Sequence, residues 1–235
     1  MMRMKKMAGV VLGCGAALLT SPVFAVGAGD VLVRLGAAWV VPNDSSGSVQ
    51  VGGVPIPGSE VGVSSSVSAG LTLSYLVTDN IGIGLLGAWP FLHDIKGKGT
   101  LSPLGTIGNT RQLPPTLTLQ YHFLPQADIR PYIGIGFNYT AFFNTHSSSS
   151  LEAALGGPTS IKLQNSWGAA GEVGVDVTLV DDWFFNASVW YVGIGTKATL
   201  TTTTFTGCCV ANISSTVNDV DINPWVFMVG FGRRF

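Results

Sequence analysis

The chain has 235 residues, of which 46% are hydrophobic and only 11% charged, and 31 are glycine. A soluble domain ordinarily carries about 25% charged residues, so much of this surface is expected to face something other than water. Losing Arg3, Lys5 and Lys6 with a leader leaves nine Lys+Arg against 13 Asp+Glu, a net charge of −4, which offers nucleic acid no basic surface.

The chain opens with the pattern of a cleaved signal peptide, residues 1–25. Arg3, Lys5 and Lys6 form a basic start, Met7 to Leu19 an apolar run, and Val23-Phe24-Ala25 a cleavage site with small residues spaced by one. Cys14 follows Gly13 as in a lipoprotein, but Leu12 and the continuing apolar run fit that site poorly. No later stretch approaches the roughly 20 apolar residues of a helical span. Even Val31 to Val41 is broken by Arg34. Residues 26–235 are therefore expected to form one all-β domain.

Eight alternating segments follow: Val31–Val41, Ser64–Val77, Ile81–Leu92, Leu113–Phe123, Arg130–Phe143, Gln164–Leu179, Trp183–Leu200 and Val217–Phe235. Each is long enough for the 9–11 tilted residues that cross a bilayer. Their connections alternate strictly. Thr78–Asn80, Leu124–Asp128 and Val180–Asp182 are short, whereas Pro42–Val63, His93–Gln112, Asn144–Leu163 and Thr201–Thr216 are long. Short periplasmic turns and long external loops give that rhythm, and a β-sandwich does not. The expected fold is an eight-stranded antiparallel transmembrane β-barrel with both termini on the periplasmic side.

Parity assigns the lipid face to Val31, Val33, Leu35 and Trp39, then Leu71, Leu73, Tyr75 and Val77, then Ile81, Ile83, Leu85, Trp89 and Phe91. The later segments continue it through Leu117–Phe123, Ile133–Tyr139, Val173–Leu179 and Trp183–Tyr191, with aromatics mostly near segment ends. The last strand shows Trp225, Phe227, Val229 and Phe231 on the same side. A soluble barrel of lipocalin type is the alternative, and it would turn these faces inward.

Thr78-Asp79-Asn80-Ile81-Gly82, Leu113-Pro114-Pro115-Thr116-Leu117, Arg130-Pro131-Tyr132-Ile133-Gly134 and Ser166-Trp167-Gly168-Ala169-Ala170-Gly171 resemble the outer membrane protein W family. Asn138-Tyr139-Thr140, Val189-Trp190-Tyr191 and Pro224-Trp225-Val226-Phe227-Met228 do so too. The resemblance implies an outer-membrane barrel, in a Gram-negative cell, with a narrow channel for small hydrophobic molecules. It also implies recognition of the C-terminal Phe235 by the barrel-assembly machinery. Arg233 departs from it, standing where an aromatic is usual; its guanidinium is expected to snorkel to headgroups.

An eight-stranded barrel is just wide enough for side chains to fill it. Toward the periplasm the inward positions are Arg34, Gln120, His122, Asn138, Asp176, Asn186 and Arg234, with Glu172 higher. Buried charges need partners, so Arg34 and Arg234 are expected to form a plug with Glu172 and Asp176. Toward the outside the lumen turns apolar at Val40, Leu86, Ala88, Phe142, Trp190, Val192, Ile194, Val226 and Met228, with Gly84, Gly136 and Gly168 leaving space. Such a lining suits a lipophilic solute rather than ions or sugars. Leu86 and Trp190 are the bulky residues expected at its constriction, where the resemblance places an apolar gate.

A sealed floor would force the solute sideways. Proline cannot donate to a ladder, so Pro90, Pro114 and Pro115 mark a weakly paired seam between adjacent strands, or simply strand ends. The Ser- and Thr-rich loops read as exposed and mobile, with a short helix over Leu151–Leu155. They are candidate contacts for phages, bacteriocins or host molecules. Cys208 and Cys209 are too close for an unstrained bridge and make a poor metal site.

No enzyme is expected. Of the three histidines only His93, beside Asp94, approaches a catalytic arrangement with a loop serine. Passive uptake needs no cofactor. The alternative is a plugged structural or receptor barrel acting through its loops.

Overall fold

The computed structural model describes residues 25–206 and 209–235. Most of the expected leader, Cys14 and Cys208 lie outside the described residues, and Cys209 enters only through its backbone pairing with Thr206.

Alternating side chains make strands of nearly every segment. In chain order these are β1 (Val31–Val41), β2 (Val49–Val51), β3 (Val54–Pro55), β4 (Ser59–Val63), β5 (Ser66–Leu76), β6 (Ile81–Ala88), β7 (Phe91–Gly99) and β8 (Thr106–Leu113). There follow β9 (Thr116–His122), β10 (Ile129–Ser147), β11 (Thr159–Leu163), β12 (Ser166–Thr178), β13 (Trp183–Val192), β14 (Gly195–Thr206), β15 (Cys209–Asp221) and β16 (Trp225–Arg234). Among the described residues one α-helix, α1 (Ser149–Leu155), takes in the expected short helix at Leu151–Leu155, and a 3-10 turn spans Ser102–Leu104.

Eight strands close a ring in the order β1–β5–β6–β9–β10–β12–β13–β16, with every neighbour antiparallel. Closure leaves no unpaired edge, which is what hydrocarbon demands of a sheet. Tight turns join β5 to β6, β9 to β10 and β12 to β13 at one end. In the first, the Thr78 hydroxyl accepts from the Ile81 N–H. The last two pass through positive φ at Leu124 and Asp181.

The ring's outer face is apolar. Leu35, Leu71, Ile83, Leu119, Ile135, Val173 and Val229 are all exposed. Aromatic pairs sit toward its ends, Tyr121 on Phe123 and Phe185 on Phe231 at the turn side, Tyr139 on Trp167 and Tyr191 on Trp225 at the other. Arg233 stacks its guanidinium over Trp183 and Phe235 at the turn end. An apolar belt edged by aromatics is the surface of a barrel that lives in a bilayer.

The external connections correct the expectation of mobile loops. Beyond the ring, β10 continues into a sheet ordered β10–β8–β7–β4, while β11–β14–β15–β2–β3 forms a second. With 19 residues, β10 belongs to both levels, pairing with β9 up to Asn138↔Thr116 and with β8 from Ala141↔Leu113. The two sheets make a tent whose inner faces bury Val49, Val61, Ile107, Ile161, Leu200 and Val217, with Leu151 of α1 packed among them. Short stretches of these "loops" alternate apolar with polar residues, as at Val49 and Val51, Ile161 and Leu163, and Ala198 and Leu200, and that repeat, not the Ser and Thr between, makes strands of them.

Pro90 produces a second correction. Phe91 continues the lipid-facing parity of Ile81, Ile83 and Leu85 on paper, yet it is 2% exposed, inside the barrel, while Leu92 is exposed. Pro90 breaks the strand between β6 and β7, and the inward face passes from even to odd positions across the break.

Candidate functional site

The interior is layered. At the turn end Val26, Leu32, Leu76 and Phe184 form an apolar floor that parity did not bring out. Residues beneath β1 complete it. The Val26 N–H donates to the Pro125 carbonyl and the Ala28 N–H to Asp79 Oδ1.

On that floor lies the polar layer. Arg34 forms a two-pronged pair with Asp176, Nε to Oδ1 at 3.0 Å and Nη2 to Oδ2 at 2.7 Å, and Nη1 donates to Ser74 at 2.8 Å. Its guanidinium also stacks on Tyr132, 4.9 Å from the ring centre. Asn186 donates to Asp176 and to the Tyr132 hydroxyl. A buried charge is tolerable only when so fully paired.

Two members of the expected plug are placed differently. Glu172 is buried but takes neutral partners, Thr118 at 2.6 Å and Gln120 at 2.8 Å, rather than an arginine. Arg234 sits at the rim, where it pairs with Asp182 and Asp30. Its strand ends there, so the side chain reaches turn residues before it could reach Asp176. Asn138, expected low, lies high instead: it donates to Thr116 and to the Pro115 carbonyl, next to Thr140.

Above the polar layer comes an apolar neck. Val40, Leu86, Trp190, Val192, Ile194 and Met228 are buried in one cluster with Ala38, Phe91, Ile222 and Val226, and half-buried Ala88 and Phe142 pack against it. All eight candidate lining residues are thus brought together. The Trp190 indole N–H donates to Ser188, which ties down its polar edge. The remaining space among these side chains is about 10 Å³, no more than one water needs. Gly84 does make room, since a Cβ there would press on Gln120 and Thr118. Gly136 and Gly168 do not widen the lumen; a Cβ on either would meet the backbone of the neighbouring strand.

Over the neck the tent encloses a cavity of about 220 Å³. Its walls are Val49, Val61, Ile95, Ile107, Leu151, Ile161, Leu200 and Val217, with Ile222 shared with the neck and Thr196 and Ser215 as polar exceptions. Sequence reasoning missed this chamber. Its signal was present, in the alternation at Val49-Val51, Val61-Val63, Ile161-Leu163 and Ala198-Leu200, inside stretches whose composition looked like loop.

The wall beside the neck has a gap. The β6–β9 ladder ends at Leu86↔Thr116, and the β7–β8 ladder resumes at Phe91↔Gln112. Between them Gly87–Pro90 faces Leu113–Pro115 with no register pair. Each side is held from behind instead: Gly87 and Ala88 pair with β5, and the Pro115 carbonyl accepts from Tyr139 N–H and Asn138. Pro90, Pro114 and Pro115 have no N–H to offer across it.

His93 has no catalytic geometry. One ring nitrogen lies 2.6 Å from the Ser64 carbonyl, and neighbouring Asp94 is on the opposite, exposed face. Among the described residues no group of three or more His, Cys, Asp or Glu could hold a metal.

A model of the OmpW family matches residues 27–235. The chain is 46% identical over 222 residues to outer membrane protein W of Vibrio cholerae, covering 94% of this chain and 95% of that protein. The crystal structure of the outer membrane protein OprG from Pseudomonas aeruginosa is similar at a TM-score of 0.79 and 40% identity, over 90% of this chain and 98% of that one. A more distant relative, the dibenzothiophene metabolism operon protein PahQ of Pseudomonas aeruginosa, is 25% identical over 158 residues, 67% of this chain and 71% of that protein. The closed ring, its apolar belt and these likenesses agree: the chain belongs to the OmpW family and is an outer-membrane β-barrel.

Proposed function

We propose that this barrel admits small hydrophobic molecules passively, from the outer cavity through a neck gated by Leu86 and Trp190. The observation that carries this reading is the vertical order of the interior. A cavity of about 220 Å³ with almost wholly apolar walls opens onto an apolar neck and then meets a buried Arg34–Asp176 pair above an apolar floor. A lipophilic solute gains free energy by leaving water for the first two layers. It would lose it in the third, where partners of buried charges would have to be displaced. In this reading Val40, Ala88, Phe142, Val192, Ile194 and Met228 line the path, while Arg34, Asp176 and Glu172 plug the periplasmic side.

Exit is then lateral, through the unpaired stretch between Gly87–Pro90 and Leu113–Pro115 into the bilayer. The name of the PahQ relative, which associates it with metabolism of an aromatic sulfur heterocycle, supports a hydrophobic cargo. Passage down a gradient needs no cofactor and no catalysis. A leader cleaved after Ala25 and recognition of the exposed Phe235 by the assembly machinery belong to the same reading.

Uptake of toluene by intact cells, whose outer leaflet of lipopolysaccharide itself slows hydrophobes, read with an internal optical reporter, tests it. Trp190→Ala should speed uptake severalfold. Cysteines placed across the gap in a Cys208→Ser, Cys209→Ser background should stop uptake when oxidised and restore it when reduced. Uptake indifferent to both would sink the channel reading.

A receptor role has one observation in its favour: the lumen is filled from floor to neck, and the tent presents ordered strands to the outside. In that case phage, bacteriocin or host-molecule binding would survive the cross-link and be lost on altering the tips of β14 and β15.

A further inference from the structure

Ser215 is out of character with the cavity it faces. It lies on β15 between Val51 of β2 and Leu200 of β14, one register pair from each, and all three line the chamber. The residue is 1% exposed, and its hydroxyl, which has no hydrogen-bond partner among the described residues, is closed off from the empty chamber, so a ligand there meets it on rotation about the Cα–Cβ bond to another staggered position. The other polar wall residue, Thr196, is already satisfied, because its hydroxyl donates to the Gln164 carbonyl at 2.6 Å. A water bound at Ser215 would find little else to bond, since stable buried waters typically need two to four polar partners. An unsatisfied buried hydroxyl is costly, and a valine would fill the same place on this face at no such cost.

We infer that Ser215 is the polar subsite of the outer cavity, which makes the preferred ligand a compact hydrophobe bearing a single hydrogen-bonding oxygen. This rests on the uptake reading above and narrows it. The hydroxyl both donates and accepts, so a phenol, an alcohol or a ketone satisfies it equally. Size follows from the chamber. A cavity of about 150 Å³ holds benzene, so 220 Å³ suits a single ring with one or two small substituents, or an aliphatic chain of similar bulk. Two polar groups on opposite ends of the molecule would leave one against apolar wall such as Ile107 or Leu151 with nothing to bond. A hydrocarbon of the same shape would still enter, but would leave Ser215 unsatisfied. The subsite thus ranks solutes by one oxygen rather than by hydrophobicity alone.

The test is a matched pair of probes, p-cresol and p-xylene, which differ by hydroxyl against methyl. Methyl NMR of the barrel in lipid nanodiscs would follow the signals of Leu200 and Val217 during titration, comparing the natural sequence with Ser215→Ala and Ser215→Thr. Partition into lipid is the same for both proteins and cancels in their ratio. Ser215→Ala should weaken p-cresol about three- to tenfold, the range for one hydrogen bond, and leave p-xylene within about twofold. Ser215→Thr should keep the p-cresol preference. If both probes bind and Ser215→Ala leaves their ratio unchanged, the subsite is wrong while the cavity stands. If neither probe moves the Leu200 and Val217 signals in the natural sequence, the uptake reading falls as well.

Discussion

The ring and the tent are built from the same alternating strands, yet their sidedness is inverted. In the ring, Leu35, Ile83, Leu119 and Ile135 point outward and Arg34, Gln120, Asn138 and Asp176 inward. In the tent, Val49, Ile161, Leu200 and Val217 point inward, while Thr201, Ser160 and Lys162 lie on the outer side. The reversal marks the change of external solvent from hydrocarbon to water. Below it, the apolar face is spent on lipid and the interior must satisfy its polar groups internally. Above it, burial of apolar side chains is what holds the two sheets together. The open greasy chamber lies in the tent, and the neck, built from apolar residues of the ring strands, is the handover between the two regimes.

That contrast can be broken most sharply from the ring side. Asp176→Ala strands the Arg34 guanidinium among Tyr132 and Phe184. Unpairing a buried charge costs about 3–5 kcal/mol. Denaturant unfolding in detergent should show that loss across the whole ring, because the pair crosses the lumen between β1 and β12, which are not neighbours in the sheet. From the tent side, Leu200→Ala should cost about 2–5 kcal/mol, but confined to the tent. Hydrogen exchange should accelerate in β11, β14 and β15 and remain unchanged in β12 and β13. A smaller effect is expected where α1 closes the tent. Ser148 caps that helix by accepting from the Leu151 N–H, so Ser148→Ala should cost about 1 kcal/mol, read as faster exchange in α1.

The smallest expected effect is one of pH. Hydrogen bonds from the Ser147 hydroxyl and the Thr159 N–H hold the Glu152 carboxyl below its ordinary range. A carboxylate whose folded pKa is depressed lends its stability above the ordinary pKa and loses it as pH falls through the lower folded one. Exchange protection around α1, taken relative to the intrinsic rate at each pH, should fall on acidification below about pH 4.5, and Glu152→Gln should abolish that pH dependence without greatly altering the ring.

The ring was legible because its rule is simple: one face meets lipid everywhere, so parity identifies it strand by strand. The neck followed from the same parity, which is why Val40, Leu86, Trp190 and Met228 fell on one list and occupy one cluster. Phe91 escaped because a proline shifts the count, and parity has no memory across a break. Arg234 and Glu172 were placed on the correct face but given the wrong partners, since parity says nothing about which turn residue or neighbouring strand lies within reach. The cavity escaped for another reason. Ser and Thr outnumber the apolar residues between Asn144 and Leu163, so composition masked a period-two repeat that pairing across four chain segments turns into a wall. Ser215 could not have been singled out at all, for its meaning depends on the absence of any partner around its hydroxyl.

The most direct measurement is uptake in cells lacking other hydrophobe channels, with the natural barrel compared at equal outer-membrane abundance with Ala198→Trp. Ala198 is a small residue in the cavity wall, so an indole there occupies the chamber and leaves the ring, the neck and the gap untouched. Uptake of p-cresol should fall to the level of cells without the barrel. Uptake equal to that of the natural protein would mean that solutes do not travel through the tent.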